Sequence, residues 1–312
     1  MLAEFSDFQP AQVEGVLAAF RSVYGDDYAD PRVYQPDYWI AQNQSQQLFT
    51  YVAQATDRTV SGLVSFYRVA PFEGLYEFGR LAVVPEHRQS GLGQRLLAYA
   101  LEAFSKEPIA SGVCAEMSCH WKVSQNMVHQ LNFQDVALAV GLFPAPEHRV
   151  SAVMSYFDMR DRAHKVHIPP RWKELLIFCY DELGLQRERI HLGTPLSGSS
   201  QLQTSYLEGP RVARLDFLAT GQDFATQLSE AERAHDQAQV FQLRLNLEDP
   251  RTIAAADIAY QSGYRCCGLL PRWFDGDGLL LQRNLAPAPF EHDHISSRRA
   301  QEMARRIEHQ WK

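Results

Sequence analysis

The sequence predicts a mixed α/β chain in which one strand–helix unit is used twice. Three observations carry this reading. Stretches of period 2 and period 3.6 alternate along the whole chain. A glycine loop joins a strand to an amphipathic helix at "VVPEHRQSGLGQRLL", Val83–Leu97. The segment "QLNFQDVALAVGLFP" in the first half is echoed by "QSGYRCCGLLP" in the second. Each follows a helix, turns at an Asn or Gly and runs into a strand containing G-L-x-P, the mark of an internal duplication. The length of 312 residues fits two domains of roughly 100–200 residues each.

After an opening strand, "PAQVEGVLAAFRSVYG" places Val13, Val16, Leu17 and Phe20 on one helical face, with Gly25 just past its end. A short helix follows over Pro36 to Gln46. "QLFTYVAQA", "TVSGLVSFYRV" and "YEFGRLAVV" read as strands. "GLGQRLLAYALEAF" lines up Leu92, Leu96, Ala100 and Phe104 as an amphipathic helix. "SGVCAEMSC" is a strand, "VSQNMVHQLNF" a helix, and "DVALAVGLFP" and "VSAVMSYFDM" are two strands. The polar, double-proline segment "RDRAHKVHIPPR" reads as a linker. Beyond it come helix "RWKELLIFCYDELGL", strand "RVARLDFLAT", helix "DFATQLSEAERAHD" and strand "AQVFQLRLNL". Helix "DPRTIAAADIAYQSG" is capped by Asp249 with Pro250 at its first turn. Strands "YRCCGLLP" and "GLLLQRNL" and an arginine-rich C-terminal helix complete the order. Two readings stand for that last helix: a site for an acidic partner, or a solvated face with a few apolar contacts.

Composition narrows the function classes. A net charge of −7 argues against a nucleic-acid footprint, which needs a basic face. The five cysteines contain no CxxC pair, which argues against a zinc site or a disulfide framework and fits a reducing compartment. The N-terminus has no basic segment leading into an apolar run, and no stretch approaches the ~18 apolar residues of a membrane span. The expectation is a soluble cytoplasmic protein without metal.

The glycine loop is the sharpest chemical signal. A helix N-terminus attracts anions through unpaired N–H groups and the macrodipole. Glycines there let the backbone approach a phosphate closely. A P-loop is excluded because no Lys-Ser or Lys-Thr follows. A dinucleotide fingerprint is excluded because Leu96 stands where its third glycine belongs.

"RQSGLG", Arg88 to Gly93, matches the [QR]xxGx[GA] loop of the GCN5-related N-acetyltransferase (GNAT) superfamily, and the element order of residues 1–160 resembles that family throughout. The resemblance implies an acyl-CoA N-acyltransferase fold with acetyl-CoA as cosubstrate. Backbone groups of Leu81, Ala82 and Val83 would then meet the pantetheine arm and the thioester carbonyl. Arg88, Gln89, Ser90, Gly91, Leu92 and Gly93 would present N–H groups to the pyrophosphate. For the Arg88 side chain two readings stand, a charge-assisted phosphate contact or a solvent-exposed arginine.

The family's chemistry is direct attack of a neutral amine on the thioester in a ternary complex. Glu77 falls where histone-acetylating members carry a general-base glutamate. Strand alternation sets it on one face with Gly79, Leu81 and Val83, and burial there would raise its pKa. The alternative is a strand-edge glutamate paired with Arg80 or Arg68. The tyrosine many members use to protonate the leaving thiolate is replaced by Val128, with His120, Ser124 and His129 nearby. Of these, Ser124 is carried forward as a candidate catalytic residue.

The acceptor end falls on "VYGDDYADPRVYQPDYW". Tyr24, Tyr28 and Tyr34, with Tyr38 and Trp39, and the acids Asp26, Asp27, Asp30 and Asp37, suit a cationic amine. They also suit a loop with aromatic anchors and a solvated acidic surface. Nearly the full length resembles bacterial tandem proteins of the superfamily. This implies two tandem GNAT-like units: an acetyltransferase domain at 1–160, a linker at 161–170 and a degenerate second unit at 171–312. The second unit's counterpart loop, "LATGQDFA", has one glycine and Asp223 where pyrophosphate would sit. The function implied is N-acetyl transfer from acetyl-CoA to a primary amine of a small molecule or peptide, with a homodimer as one possible assembly. The alternative is a non-catalytic acyl-CoA-binding regulatory protein.

Overall fold

The computed structural model describes residues 3–311 except 27, 29, 288, 289 and 291, and omits the side chain of 293. In chain order, the first part comprises β1 (Glu4–Asp7), α1 (Val13–Tyr24), α2 (Pro36–Gln44), β2 (Leu48–Gln54), β3 (Val60–Arg68), β4 (Leu75–Val83), α3 (Leu92–Phe104) and β5 (Gly112–Ser118). There follow α4 (Lys122–His129), β6 (Gln134–Pro144), β7 (Arg149–Asp158), β8 (His164–His167), α5 (Lys173–Tyr180), β9 (Arg187–Ile190) and β10 (Gln201–Leu207). The chain ends with β11 (Val212–Ala219), α6 (Phe224–Ala234), β12 (Val240–Asn246), α7 (Thr252–Gln261), β13 (Arg265–Phe274), β14 (Gly276–Asn284) and α8 (Arg298–Trp311). The mixed α/β class expected from the sequence is the observed one.

Two compact units are present. The first holds residues 1–69 and 73–115, the second residues 70–72 and 116–312. The division falls inside β5, earlier than the domain end read at residue 160. The reason is that β6 pairs with β13 of the later chain. The expected linker contains β8, which pairs in parallel with β9.

In the first unit β1 to β4 are successively antiparallel, and β4 pairs in parallel with β5. Odd and even positions of β3 face different helices. Leu63 and Tyr67 pack with α1 residues Val16, Leu17 and Phe20. Phe66 stacks on Phe104 of α3 at 4.6 Å between ring centroids.

The second unit repeats a connectivity seen earlier in the chain. β10 and β11 are antiparallel, β11 and β12 parallel, and β13 and β14 antiparallel. The same pattern relates β3 and β4, β4 and β5, and β6 and β7. The duplication extends to backbone detail. β6 and β13 each carry a bulge, between Ala139 and Phe143 and between Leu270 and Phe274. Gly141 (φ 56°) and Arg272 (φ 58°) take the left-handed conformation at equivalent places. By this register Gly268 corresponds to Ala137, and those two residues pair with each other. The G-L-x-P match read from the sequence is therefore out of register, because Gly141 corresponds to Arg272 and not to Gly268.

The arginine-rich α8 is docked within its unit. Ala300, Met303, Ala304 and Ile307 are buried, Arg299 donates to the carbonyls of Phe178, Cys179 and Asp181, and Asp135 accepts from Ser297 and Ser155. All five cysteines are free and buried. Burial pushes the thiols of Cys179 and Cys267 up to about 12, which leaves them protonated and inert at neutral pH.

Gly268 has φ 129°, and a Cβ there would press on the Val136 carbonyl and Ala137. Strain and overpacking together predict that Gly268→Ala costs about 3 kcal/mol, read as a lower urea midpoint with an unchanged denaturant slope.

Candidate active site

The site grows from an irregularity in β4. Ser65 pairs with Gly79 and Leu63 with Ala82, so Arg80 and Leu81 together oppose Val64. Arg80 sits in the left-handed region at φ 54°. This bulge reverses the alternation of β4. Before it, Glu77 lies beside Tyr67 on the α1 face; after it, Ala82 takes that face. Val83 instead lies near Leu96 of α3, both beside Gly62. The expectation that Glu77, Leu81 and Val83 share one face is corrected accordingly.

Glu77 is half-buried and accepts a hydrogen bond from Tyr67 Oη at 2.7 Å. The Tyr67 ring closes over Gly79, where a Cβ would sit 2.7 Å from its hydroxyl. Burial, with Glu77 adding to it, pushes the Tyr67 phenol well above its usual value. The phenol therefore stays protonated and fixes one carboxylate oxygen. The arginines proposed as partners of Glu77 are engaged elsewhere: Arg68 pairs with Glu73 at 3.2 Å and Arg80 with Asp30 at 3.2 Å.

Among the described residues β4 and β5 pair from Leu75↔Gly112 to Glu77↔Cys114, and β4 runs on past Glu77 to the loop. There Gln89 (φ 59°) and Gly91 (φ 74°) both take positive φ. A Cβ on Gly91 would meet nothing within 4 Å, so its surroundings are open to a bulky group. The first-turn N–H groups of α3 lack intrahelical acceptors. Leu92 N–H is partly served by Ser90 Oγ at 3.3 Å. A cavity of about 530 Å³ adjoins the loop, lined by Ser61, His87, Ser90, Leu92 and Arg95. Open space, donors and the Arg95 guanidinium together fit a phosphate-bearing cosubstrate.

Two strand carbonyls already have protein donors. Tyr24 Oη donates to Leu81 O at 2.7 Å and Arg88 Nε to Val83 O at 3.2 Å. Arg88 is exposed yet folded back on the strand, while Ala82 is buried in the core.

The three candidate acceptor tyrosines separate. Tyr24 braces Leu81, and burial raises its pKa. Tyr34 donates to Gly25 O at 2.7 Å and accepts from Tyr28 N–H at 3.0 Å, so it staples the loop after α1. Tyr28 packs edge-on against Phe20 at 5.0 Å. Burial raises its pKa against the opposing pull of Arg80, with Glu77 and Asp30 adding to the rise. Its phenol therefore feels all three charges. The acids of the segment are largely spoken for. Asp26 pairs with Arg21, and Asp30 pairs with both Arg32 and Arg80. Burial opposes ionisation of Asp30, but hydrogen bonds from Arg32 hold its carboxyl below the usual range. Asp27 lies outside the described residues.

Ser124 and Val128 belong to the second unit. Ser124 Oγ donates to Trp121 O at 3.4 Å, and Val128 is fully buried on α4. Sequence reasoning did not single out Tyr67 as part of the site and treated Arg80 only as a partner for Glu77. The one available signal was an arginine three residues after Glu77 in a strand whose other members are aliphatic, aromatic or glycine.

The later copy of the motif is built differently. β11 and β12 pair continuously from Val212↔Val240 to Phe217↔Leu245. Over the N-terminus of α6 the chain lays its own backbone. Gln222 N donates to Gly198 O at 2.9 Å, Gly221 N to Ser200 Oγ at 2.9 Å, and Ser200 N to Asp223 Oδ1 at 2.7 Å. A Cβ on Gly221 would collide with that segment.

Residues 14–118 match the acetyltransferase (GNAT) family model. Similar solved structures include smu.2055 from Streptococcus mutans UA159, 18% identical, covering 50% of this chain and 99% of its own, with a TM-score of 0.43. A putative acetyltransferase from Salmonella typhimurium, solved with acetyl-CoA, is 16% identical and covers 53% and 98%, with a TM-score of 0.44. The ribosomal-protein-S18-alanine N-acetyltransferase of Escherichia coli is 12% identical and covers 54% and 100%, with a TM-score of 0.42. No curated protein matches the chain.

The Tyr24 bond is structural in this arrangement. Tyr24→Phe is expected to cost about 1 kcal/mol, measured by urea unfolding, because the Leu81 carbonyl loses its donor.

Proposed function

With residues 14–118 carrying an acetyltransferase domain of the GNAT family, we propose that this chain transfers an acetyl group from acetyl-CoA to a primary amine at a single site in its first unit. The observation that carries the reading is the conformation of the loop: Gly91 stands left-handed and open at the N-terminus of α3. Directly upstream, β4 continues past its last pair with β5. The N–H groups of residues 88–93 would hold the pyrophosphate, with Arg95 supplying positive charge beside them.

Acetyl-CoA supplies an activated thioester. The chain has to supply a deprotonated amine, since most amines are protonated at neutral pH. Glu77, held by Tyr67, takes that proton directly or through a water. With Val128 buried and apolar, the departing thiolate draws its proton from water. The second unit, with its zipped strands and self-filled loop, contributes no acyl-CoA site in this reading.

Calorimetry with acetyl-CoA and thiol release over a panel of primary amines test the assignment. Gly91→Glu is expected to weaken acetyl-CoA binding at least 100-fold, because it sets a carboxylate where the pyrophosphate lies. Unchanged affinity would refute the loop. Glu77→Gln should lower kcat by about 10²–10³ while leaving acetyl-CoA affinity intact; a fall of less than threefold removes Glu77 as the base. Val128 also favours a second reading, a non-catalytic acyl-CoA-binding regulatory protein. Tight acetyl-CoA binding without thiol release from any amine would select it.

A further inference from the structure

The guanidinium of Arg80 has an arrangement that supporting the loop alone does not explain. Its side chain is 7% exposed. Nη2 donates to Tyr38 Oη at 2.9 Å and to Asp30 Oδ2 at 3.2 Å. The rings of Tyr67, Tyr38 and Trp39 surround the guanidinium with centroids at 5.0, 5.3 and 5.7 Å. Nη1, by contrast, is buried without a hydrogen-bond partner among the described residues. A buried charged donor left unpaired is destabilising. The residue is also held in the left-handed region inside a strand, which adds backbone strain. Such costs persist where they serve recognition.

The hydrogen-bond count identifies what is missing. Asp30 is the guanidinium's acidic partner, and it is shared with Arg32, whose Nε and Nη2 hold it at 2.8 and 3.0 Å. Two arginines therefore share one carboxylate. A second anion at Nη1 would complete a forked Arg–carboxylate contact. Tyr28, whose ring packs against Phe20 and Tyr24 and whose phenol feels Arg80, Glu77 and Asp30, is the neighbouring hydroxyl. Tyr67 links this point to the base. Its hydroxyl holds Glu77 at 2.7 Å while its ring lies 5.0 Å from the guanidinium. One compact ligand can therefore set an amine at Glu77 and an anion at Arg80.

We propose that the acceptor is a free amino acid, its carboxylate bound by Arg80 with Tyr28 and its amine presented to Glu77. The inference rests on the acyl-transfer reading for the amine's fate but not for the carboxylate contact. Its test uses the full-length chain and the proteinogenic L-amino acids, each matched with its carboxamide and its decarboxylated amine. Binding is measured by calorimetry with and without acetyl-CoA, and turnover by thiol release. At least one amino acid is expected to bind tenfold or more tightly than both matched analogues. Arg80→Gln should raise its Kd and KM at least tenfold, leave kcat within threefold, and abolish the discrimination; Arg80→Lys should restore part of it. Asp30→Asn with Arg80→Gln, which removes both halves of the ion pair, separates recognition from folding. That double variant should melt near wild type and still not discriminate. Tyr28→Phe should weaken amino-acid binding by a smaller factor. The proposal is overturned if no free amino acid binds, if amides or decarboxylated amines do equally well, or if the Arg80 variants keep the preference. A wild-type chain that fails to bind acetyl-CoA sinks the transferase reading alone, because carboxylate binding still decides the role of Arg80.

Discussion

The bulge at Arg80 is the constraint on which the first unit's site depends. A regular β4 would have carried Glu77, Leu81 and Val83 to one face and turned Arg80 to the other. Setting Arg80 and Leu81 opposite the single residue Val64 brings Glu77 and Arg80 to the same side, against Tyr67 and the aromatic residues of α1 and α2. It also turns Val83 toward α3, so the strand enters the glycine loop from the α3 side. The backbone strain at Arg80 is balanced by the three surrounding rings and by Asp30, which over-determine its position. A left-handed non-glycine residue in a strand survives only under that kind of support.

The later copy shows what the same connectivity does without these devices. β11 stays paired with β12 through Phe217↔Leu245, and no residue of β11 takes positive φ. The helix N-terminus that follows is served by Asp223 and by the 198–200 backbone. Ser200 N–H, the main cause, holds the Asp223 carboxyl below its usual range, so this helix end already has its anion. One topology thus supports either an open loop or a self-satisfied one. The difference lies in strand pairing and in whether the chain fills its own N-terminal cradle.

How much of this the sequence disclosed follows from the range of the interactions concerned. The glycine loop, the amphipathic α3 and most strands were legible because their signals are local: conformational freedom at Gly91 and apolar spacing along the helix. β8 and β9 were missed because "HKVH" and "RERI" are short and polar. β10 was missed because "QLQTSYL" is largely exposed and takes its strand character from β11. The duplication was legible as element order, while its residue register was not. G-L-x-P is a coincidence of composition, and only the shared bulge fixes the true alignment. Glu77 could be placed on its strand, but its neighbours could not. A bulge depends on what opposes it across the sheet, and nothing local in "EFGRLAV" announces one.

The acceptor region shows most clearly why counting residue types misleads. Four aspartates within "YGDDYADPRVYQPDYW" read as an attractive wall for a cationic amine. In the folded chain Asp26 and Asp30 are matched by Arg21, Arg32 and Arg80, arginines that lie before, within and well after that segment. Local potential is set by such pairings, not by the composition of one stretch. An acid shared by two guanidinium groups leaves a guanidinium nitrogen without an acceptor, and burial sharpens that need because water cannot serve it. In the proposed reading, recognition at this face turns on Arg80 Nη1, while Glu77, held by Tyr67, meets the amine.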